Sequence, residues 1–209
     1  MVDRDSPVTC SDPHAALAGY IGRGMTFDQY VSEIDRLVTE GKTSGANQSQ
    51  GYVDYTRLNR QRMRRLVKEC VLSQETVRVV SARPAQWVWL VITEAWCGDS
   101  AQCLPVVEMI ASANGGIRTR YVWRDDNPAL MDRYLTNGKR MIPKVICLDA
   151  ATLADRWTWG PRPEKATPYF QEMQASGLPG LEIAENMQRW YLADAQQSIQ
   201  ADFVAHFAS

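Results

Sequence analysis

Trp87-Val88-Trp89-Leu90-Val91-Ile92, then Glu94-Ala95-Trp96-Cys97-Gly98-Asp99-Ser100, is the most informative stretch of the chain. Six consecutive apolar residues rich in β formers, preceded by Pro84, read as a central strand buried on both faces. The pattern then predicts a helix over 98–112, so Cys97 stands where a buried strand hands over to a helix. The first turn of a helix presents unpaired N–H groups and a partial positive charge. Both favour thiolate over thiol, and the thiolate is the nucleophile. Ser100, one turn on, can hydrogen-bond the Cys97 sulfur. Asp99 works the other way, because a nearby carboxylate disfavours a second negative charge.

Downstream, Asn114-Gly115-Gly116 marks a turn and 117–123 a strand. Asn127-Pro128 supplies a cap and a first-turn proline for a helix that runs to about 135, before Asn137-Gly138. Strands are expected over 144–148 and 153–159. Gly160-Pro161-Arg162-Pro163 breaks the chain, and helices near 168–175 and over 181–207 close it. The order from 87 to 159 is β-α-β-α-β-β, which implies a parallel portion ending in an antiparallel hairpin.

Upstream, Thr26-Phe27-Asp28-Gln29 fits a capping box. Phe27, Tyr30, Val31, Ile34, Leu37 and Val38 follow at helical spacing, and Gly41 supplies a stop. A polar loop is expected over 42–50, a second helix over 55–71, and a short one over 75–81 capped by Ser73. Arg57, Arg60, Arg64 and Lys68 form a basic stripe on the second helix. With no aromatic residues interleaved, it reads as a solvated face rather than a nucleic-acid site. Residues 1–25 show no sustained period and read as an irregular arm. The expected layout is therefore an irregular arm over 1–25, helices packed on the core over 26–83, the α/β core over 84–160, and further helices over 161–209.

Composition bounds the rest. The chain has 209 residues, 23 Lys plus Arg against 24 Asp plus Glu, 45% hydrophobic and 22% charged residues. A net charge of −1 argues against a chain-wide polyanion binder, so no nucleic-acid partner is expected. The longest apolar run, 87–92, is far short of the roughly 20 residues of a spanning helix, so no membrane partner is expected either. The charged start, Met1-Val2-Asp3-Arg4-Asp5, lacks a signal-peptide core, so a cytoplasmic location is the expectation. Five dispersed cysteines make no disulfide framework. Only His14 and His206 are present, which argues against histidine-based zinc hydrolases and Cys-His proteases. No metal site and no cofactor are expected. Asp125-Asp126-Asn127 reads as a helix cap with acid at the positive dipole end rather than a cation site. Of the seven tryptophans, Trp96 alone is expected to be semi-exposed, beside Cys97 and free to pack against a partner chain.

Trp96-Cys97-Gly98-Asp99-Ser100 resembles the Trp-Cys-Gly-Pro-Cys active site of the thioredoxin superfamily. Two more marks fit. Pro105, eight residues after Cys97, stands where thioredoxins have a kinking proline. Met141-Ile142-Pro143 resembles the family's Gly-Ile-Pro, whose proline is cis and faces the reactive sulfur. The resemblance narrows to a poorly characterised bacterial thioredoxin-like group through Trp-Cys-Gly-Asp, Arg124-Asp125-Asp126-Asn127, Tyr134-Leu135-Thr136-Asn137-Gly138 and Trp159-Gly160-Pro161-Arg162-Pro163. It implies an α/β thioredoxin-like fold, a central mixed sheet flanked by helices, with helical extensions at both ends.

The departures are two. Ser100 replaces the second cysteine, which in thioredoxins releases substrate by attacking the mixed disulfide, so this motif alone cannot run a dithiol cycle. Val91 stands where thioredoxins carry a buried acid. Cys103 lies six residues along the same helix, about 9 Å by helix rise and beyond the roughly 7 Å limit for a disulfide, so it could resolve only if the first turn unwound. Cys70 and Cys147 read as small buried hydrophobes. Cys10 cannot be placed against Cys97.

The expected function is monothiol thiol-disulfide exchange. Cys97 is the nucleophile, Ser100 stabilises its thiolate and Pro143 shapes the groove. Trp96, Gly98, Asp99 and Ile142 line that groove. The partners are a protein or a low-molecular-weight thiol or disulfide. Two alternatives stand beside it: a non-enzymatic peptide- or protein-binding module in which Cys97 is a relic, and a glutaredoxin-like iron-sulfur carrier.

Overall fold

A computed structural model describes residues 13–208. In chain order the elements are α1 Pro13–Arg23, α2 Phe27–Thr39, α3 Gln50–Glu69, α4 Gln74–Ala82, β1 Trp87–Thr93, α5 Gly98–Ser112 and β2 Ile117–Trp123. There follow α6 Pro128–Arg133, β3 Lys144–Asp149, β4 Asp155–Trp159, α7 Ala166–Ala175, α8 Gly180–Asp194 and α9 Gln197–Ala208.

The sheet has the order β2-β1-β3-β4. β1 runs parallel to β2, with Trp87 opposite Ile117 and Thr93 opposite Trp123. It runs antiparallel to β3, and β3 to β4. The sheet is mixed because the β1-α5-β2 connection returns parallel, whereas the β2-α6-β3 connection reverses the chain direction and β3-β4 is a hairpin. β1 is central and all seven of its residues are buried. Trp87, Trp89 and Val91 face one core, with α2, α3, α5 and α9. Val88, Leu90 and Ile92 face the other, which includes Leu17 of α1, Leu130 and Met131 of α6, and Cys97.

α2 begins where its capping box predicts. Gln29 N–H donates to the Thr26 hydroxyl at 3.3 Å, and the Gln29 side chain accepts from Thr26 N–H at 2.9 Å. Ser73 caps α4 through Thr76 N–H at 3.0 Å. α5 is buried along most of its length and carries Pro105 inside it.

Five expectations are corrected. The arm expected to be irregular over 1–25 is helical over Pro13–Arg23, and its earlier residues lie outside the described part. Met25 then makes a single antiparallel bridge to Tyr121 on the outer edge of β2, with paired bonds of 2.9 and 2.8 Å. α3 begins five residues earlier than expected, at Gln50. The polar loop before it is partly interior, for Thr43 and Ser44 are buried. The single closing helix is two: Ala195 and Gln196 take left-handed φ values of 47° and 65° and turn the chain between α8 and α9. No glycine or proline marks that break. α9 turns back because its Ser198, Ile199, Phe203 and Phe207 bury against the core.

The basic stripe is not wholly solvated. Arg60 pairs with Asp35 of α2 through two bonds of 2.8 and 2.7 Å, and Arg64 joins the same carboxylate at 3.0 Å. The stripe therefore fastens α3 to α2.

Candidate active site

Cys97 is the N-cap of α5, with φ −76° and ψ 116°. Its thiol donates to the Ile142 carbonyl at 3.5 Å, across the cis Ile142–Pro143 peptide. The structure thus brings together the strand-helix turn and the Ile142-Pro143 loop, 45 residues apart. Ser100 is fully buried beneath the sulfur. Thr93 Oγ1 donates to Ser100 Oγ at 2.9 Å, and Tyr30 OH stands 3.4 Å from Thr93 Oγ1. Because Thr93 gives its proton to Ser100, Tyr30 donates to Thr93. The chain Tyr30–Thr93–Ser100 therefore points its protons toward Cys97, an arrangement that stabilises a thiolate.

Burial opposes it. Cys97 is only 7% exposed. Desolvation, and then the charge of Asp99, push its thiol up to about 11, while the Ser100 hydroxyl and N–H and the Arg162 charge pull it down. Desolvation is the largest of these causes, so the thiol is protonated at neutral pH. The favourable field of the helix N-terminus does not by itself produce an activated cysteine here.

Asp99 is held from two sides. Arg162, from the turn after β4, pairs with its Oδ2 at 2.7 Å, and both side chains are nearly buried. Tyr191 of α8 donates to its Oδ1 at 2.8 Å. Burial nevertheless raises the Asp99 carboxyl above its ordinary value. The Cys103 thiol donates to the same Tyr191 hydroxyl at 3.6 Å and is wholly buried, with its pKa raised well above the ordinary value by desolvation. Arg162 reaches the motif because Gly160, at φ 109°, packs on Pro143. A β-carbon at Gly160 would come 2.2 Å from the Pro143 carbonyl oxygen.

Glu94 is buried at the foot of the motif. It accepts a short bond from the Ser44 hydroxyl and another of 2.9 Å from Asp125 N–H. Ser44 Oγ in turn accepts from Ala95 N–H at 2.8 Å. Burial raises the Glu94 carboxyl to about 7. Asn59 of α3 donates to the Ala95 carbonyl at 3.1 Å, so the turn before Cys97 is held from α3 as well.

Trp96 is half-buried, 4.9 Å from the Tyr52 ring, with the Arg124 guanidinium over its own ring at 4.9 Å. It is packed by its own chain. A cleft of about 440 Å³ opens beside it, lined by Cys97, Gly98 and Asp99, by Met141 and Ile142, by residues of α3, and by Ile183, Met187 and Tyr191 of α8. Pro143 is buried behind Ile142. Among the described residues, no three His, Cys, Asp or Glu side chains converge in a way that could hold a metal ion. Asn127 begins α6 without a side-chain cap bond; its amide donates instead to the Trp123 carbonyl at 2.7 Å.

Residues 45–174 match the thioredoxin family model. The chain belongs to the thioredoxin family. Two solved structures share the fold of this thioredoxin-family chain. One is a protein of unknown function from Pseudomonas aeruginosa, 14% identical, with a TM-score of 0.61. The other is an HIV epitope scaffold, 15% identical, with a TM-score of 0.59. Each match covers 91% of this chain and 96% of the other. No curated protein matches.

Of the residues singled out from sequence, Trp96, Cys97, Gly98, Asp99 and Ile142 meet at one cleft, with Ser100 and Pro143 directly behind them. Cys147 and Cys70 are buried in the apolar core, as their settings suggest, and Cys10 lies outside the described residues. Sequence reasoning gave no role to Glu94, Arg162, Tyr191, Thr93, Tyr30 or Asn59. An acid placed immediately after an all-apolar strand was the available signal for Glu94. For the others, no local pattern announces a partner thirty to ninety residues away. No helix among the described residues is long and apolar enough to cross a membrane.

Proposed function

We propose that this thioredoxin-family chain carries out monothiol thiol-disulfide exchange at Cys97. The Cys97 thiolate attacks one sulfur of a disulfide R–S–S–R′. A bond forms between Cys97 and that sulfur, the original S–S bond breaks, and R′S⁻ leaves and takes a proton from water. An external low-molecular-weight thiolate then attacks the R sulfur, giving a new disulfide and releasing the Cys97 thiolate. Ser100 cannot perform that second step, and Cys103, bonded to Tyr191 inside the fold, is not placed for it.

The observation that carries this reading is the placement of the Cys97 sulfur, at the N-terminus of α5, at the end of a directed hydroxyl chain and on the wall of an open cleft. The raised thiol sets its pH dependence. Below about 11 the thiolate fraction, and with it the rate of the first step, climbs about tenfold per pH unit. The test is mixed-disulfide formation with a small disulfide between pH 7 and 9, read at Cys97 by peptide mass mapping. A Cys97 adduct whose rate rises steeply with pH, and which is lost in Cys97→Ser, is expected. No adduct at any pH where the chain stays folded overturns exchange.

The burial of Cys97 favours a second reading, a binding module of the same fold whose cleft holds a peptide or protein with no role for the thiol. Capture of such a partner would survive Cys97→Ser.

A further inference from the structure

Four arginines and one aspartate line the cleft beside Cys97, in a chain whose overall charge is −1. Three of the arginines bring their own carboxylate. Arg162 pairs with Asp99 at 2.7 Å, Arg124 with Asp125 at 2.8 Å, and Arg140 with Asp132 at 2.6 Å. Arg62 of α3 differs. Among the described residues it forms no ion pair, and its one hydrogen bond is from Nη1 to the Asn59 amide oxygen at 3.0 Å. Asn59 is itself buried and tied to the Ala95 carbonyl, so the guanidinium is held in place by a rigid partner that does not neutralise it.

Its position gives that charge a use. A β-carbon built on Gly98 would come 3.7 Å from Arg62 Nη1, so the guanidinium stands against the first residue of α5 and beside Cys97. Burial pushes its pKa down and Arg65 adds to that, with Tyr55 opposing, the direction expected of a half-buried cation without a carboxylate partner. An arginine stays charged regardless. The same cleft is lined by Trp96, Tyr55, Met141, Ile183 and Met187, with Gln102 and Gln188 beside them. A cleft of about 440 Å³ with an apolar lining and one convergent unpaired cation suits a small molecule with an apolar body and a single anionic group. A planar guanidinium prefers a carboxylate, which it can engage through two parallel bonds.

We infer that this cleft binds a small organic carboxylate, with Arg62 as its anchor and the apolar body lying along Trp96. Applied to exchange, which rests on the monothiol reading, the favoured substrate is a carboxylate-bearing small disulfide whose sulfur is delivered to Cys97. The binding itself requires no chemistry at Cys97.

The first arm uses the full chain carrying Cys97→Ser and titrates it with 4-nitrobenzoate and with its uncharged counterpart, 4-nitrobenzamide. Preferential binding of the carboxylate is expected. Adding Arg62→Gln should weaken the carboxylate about tenfold and leave the amide unchanged, since the charge-assisted contact with a half-exposed guanidinium is lost. Arg62→Lys, which keeps the charge, should retain part of the preference. Equal binding of the two probes, no binding of either, or an equal loss of both in Arg62→Gln overturns the inference. The second arm uses the wild-type thiol and compares its rates at Cys97 with 5,5′-dithiobis(2-nitrobenzoate) and with the neutral 4,4′-dithiodipyridine. Any change in the sulfur's own reactivity affects both reagents and cancels in their ratio. The ratio should favour the anionic reagent and fall about tenfold in Arg62→Gln. A ratio unmoved by that substitution also overturns the inference. Carboxylate binding in the first arm, with no Cys97 adduct from either reagent in the second, rules out exchange and leaves the binding site standing.

Discussion

Around Trp87 and Trp89 of β1, the side chains of Trp157, Phe203 and Phe207 meet edge to face or tilted, with ring centroids 5.1 to 6.3 Å apart. At the Thr93 end of the same strand, the buried groups are a hydroxyl chain, a carboxyl clamped by Ser44, and an aspartate held by an arginine and a tyrosine. Both ends are largely closed to water, although Trp157 is only partly buried and a cleft opens beside Cys97. The first is held by contact area and shape, which depend weakly on direction. The second is held by directed bonds, each of which leaves a costly orphan if its partner is removed. The cleft with Cys97 at its wall lies against the second kind of core, where desolvation, fixed dipoles and charges together set the state of a proton.

That contrast can be broken at several points. The largest effect is expected at the aromatic end. Phe203→Ala removes a ring in contact with Trp89, Trp157 and Trp159, and should cost about 3–5 kcal/mol in urea unfolding, by a nearly equal amount at about pH 7.5 and about pH 9, where the neighbouring His206, its pKa lowered by burial, stays neutral. A loss that varies strongly with pH would mean that this end is not governed by packing.

At the polar end the expected effect is of similar order but tied to pH. The Glu94 carboxyl is raised from 4.5 to about 7 on folding. An acid raised in this way binds its proton more tightly in the folded state. Its contribution is therefore fully present below pH 4.5 and is lost as pH rises through 7, on the order of 3 kcal/mol over that window. Glu94→Gln cannot ionise. The stability difference between the variant and the wild type should shift in favour of the variant between pH 4.5 and 8. A flat difference would show that Glu94 titrates normally.

The smallest effect is on reactivity. Asp99→Asn removes the carboxylate that raises the Cys97 thiol and frees the Arg162 charge that lowers it. The midpoint of Cys97 alkylation by iodoacetamide should move down, and the rate at pH 8 should rise severalfold. An unchanged midpoint would leave burial as the sole cause of the raised thiol.

Several of these partners were legible in the sequence only as residue types. The strand over 87–93, the helix from Gly98 to Ser112 and the capping box of α2 rest on neighbours within a few residues, and periodicity finds them. The turn at Ala195 and Gln196 has no such signature. Neither residue prefers left-handed backbone, and the conformation is imposed by the burial of α9. Thr43 and Ser44 look like surface polar residues, yet the second closes over Glu94, fifty residues away. Arg162 looked like part of a chain break and serves as the counter-charge of Asp99.

The sequence by itself determined the thioredoxin-like order of strands and helices, the position of Cys97 at a helix start, and the presence of Ser100, not a second cysteine, three residues on. Each of these depends on local propensity or on the identity of one residue. Tertiary structure alone decided that the Cys97 thiol is buried and raised, that Asp99 is held by Arg162 and Tyr191 from two distant elements, and that Arg62 faces the cleft without a carboxylate of its own. A proton's affinity is set by the solvent and charges within a few ångströms in space, and here those charges are contributed by segments far apart along the chain.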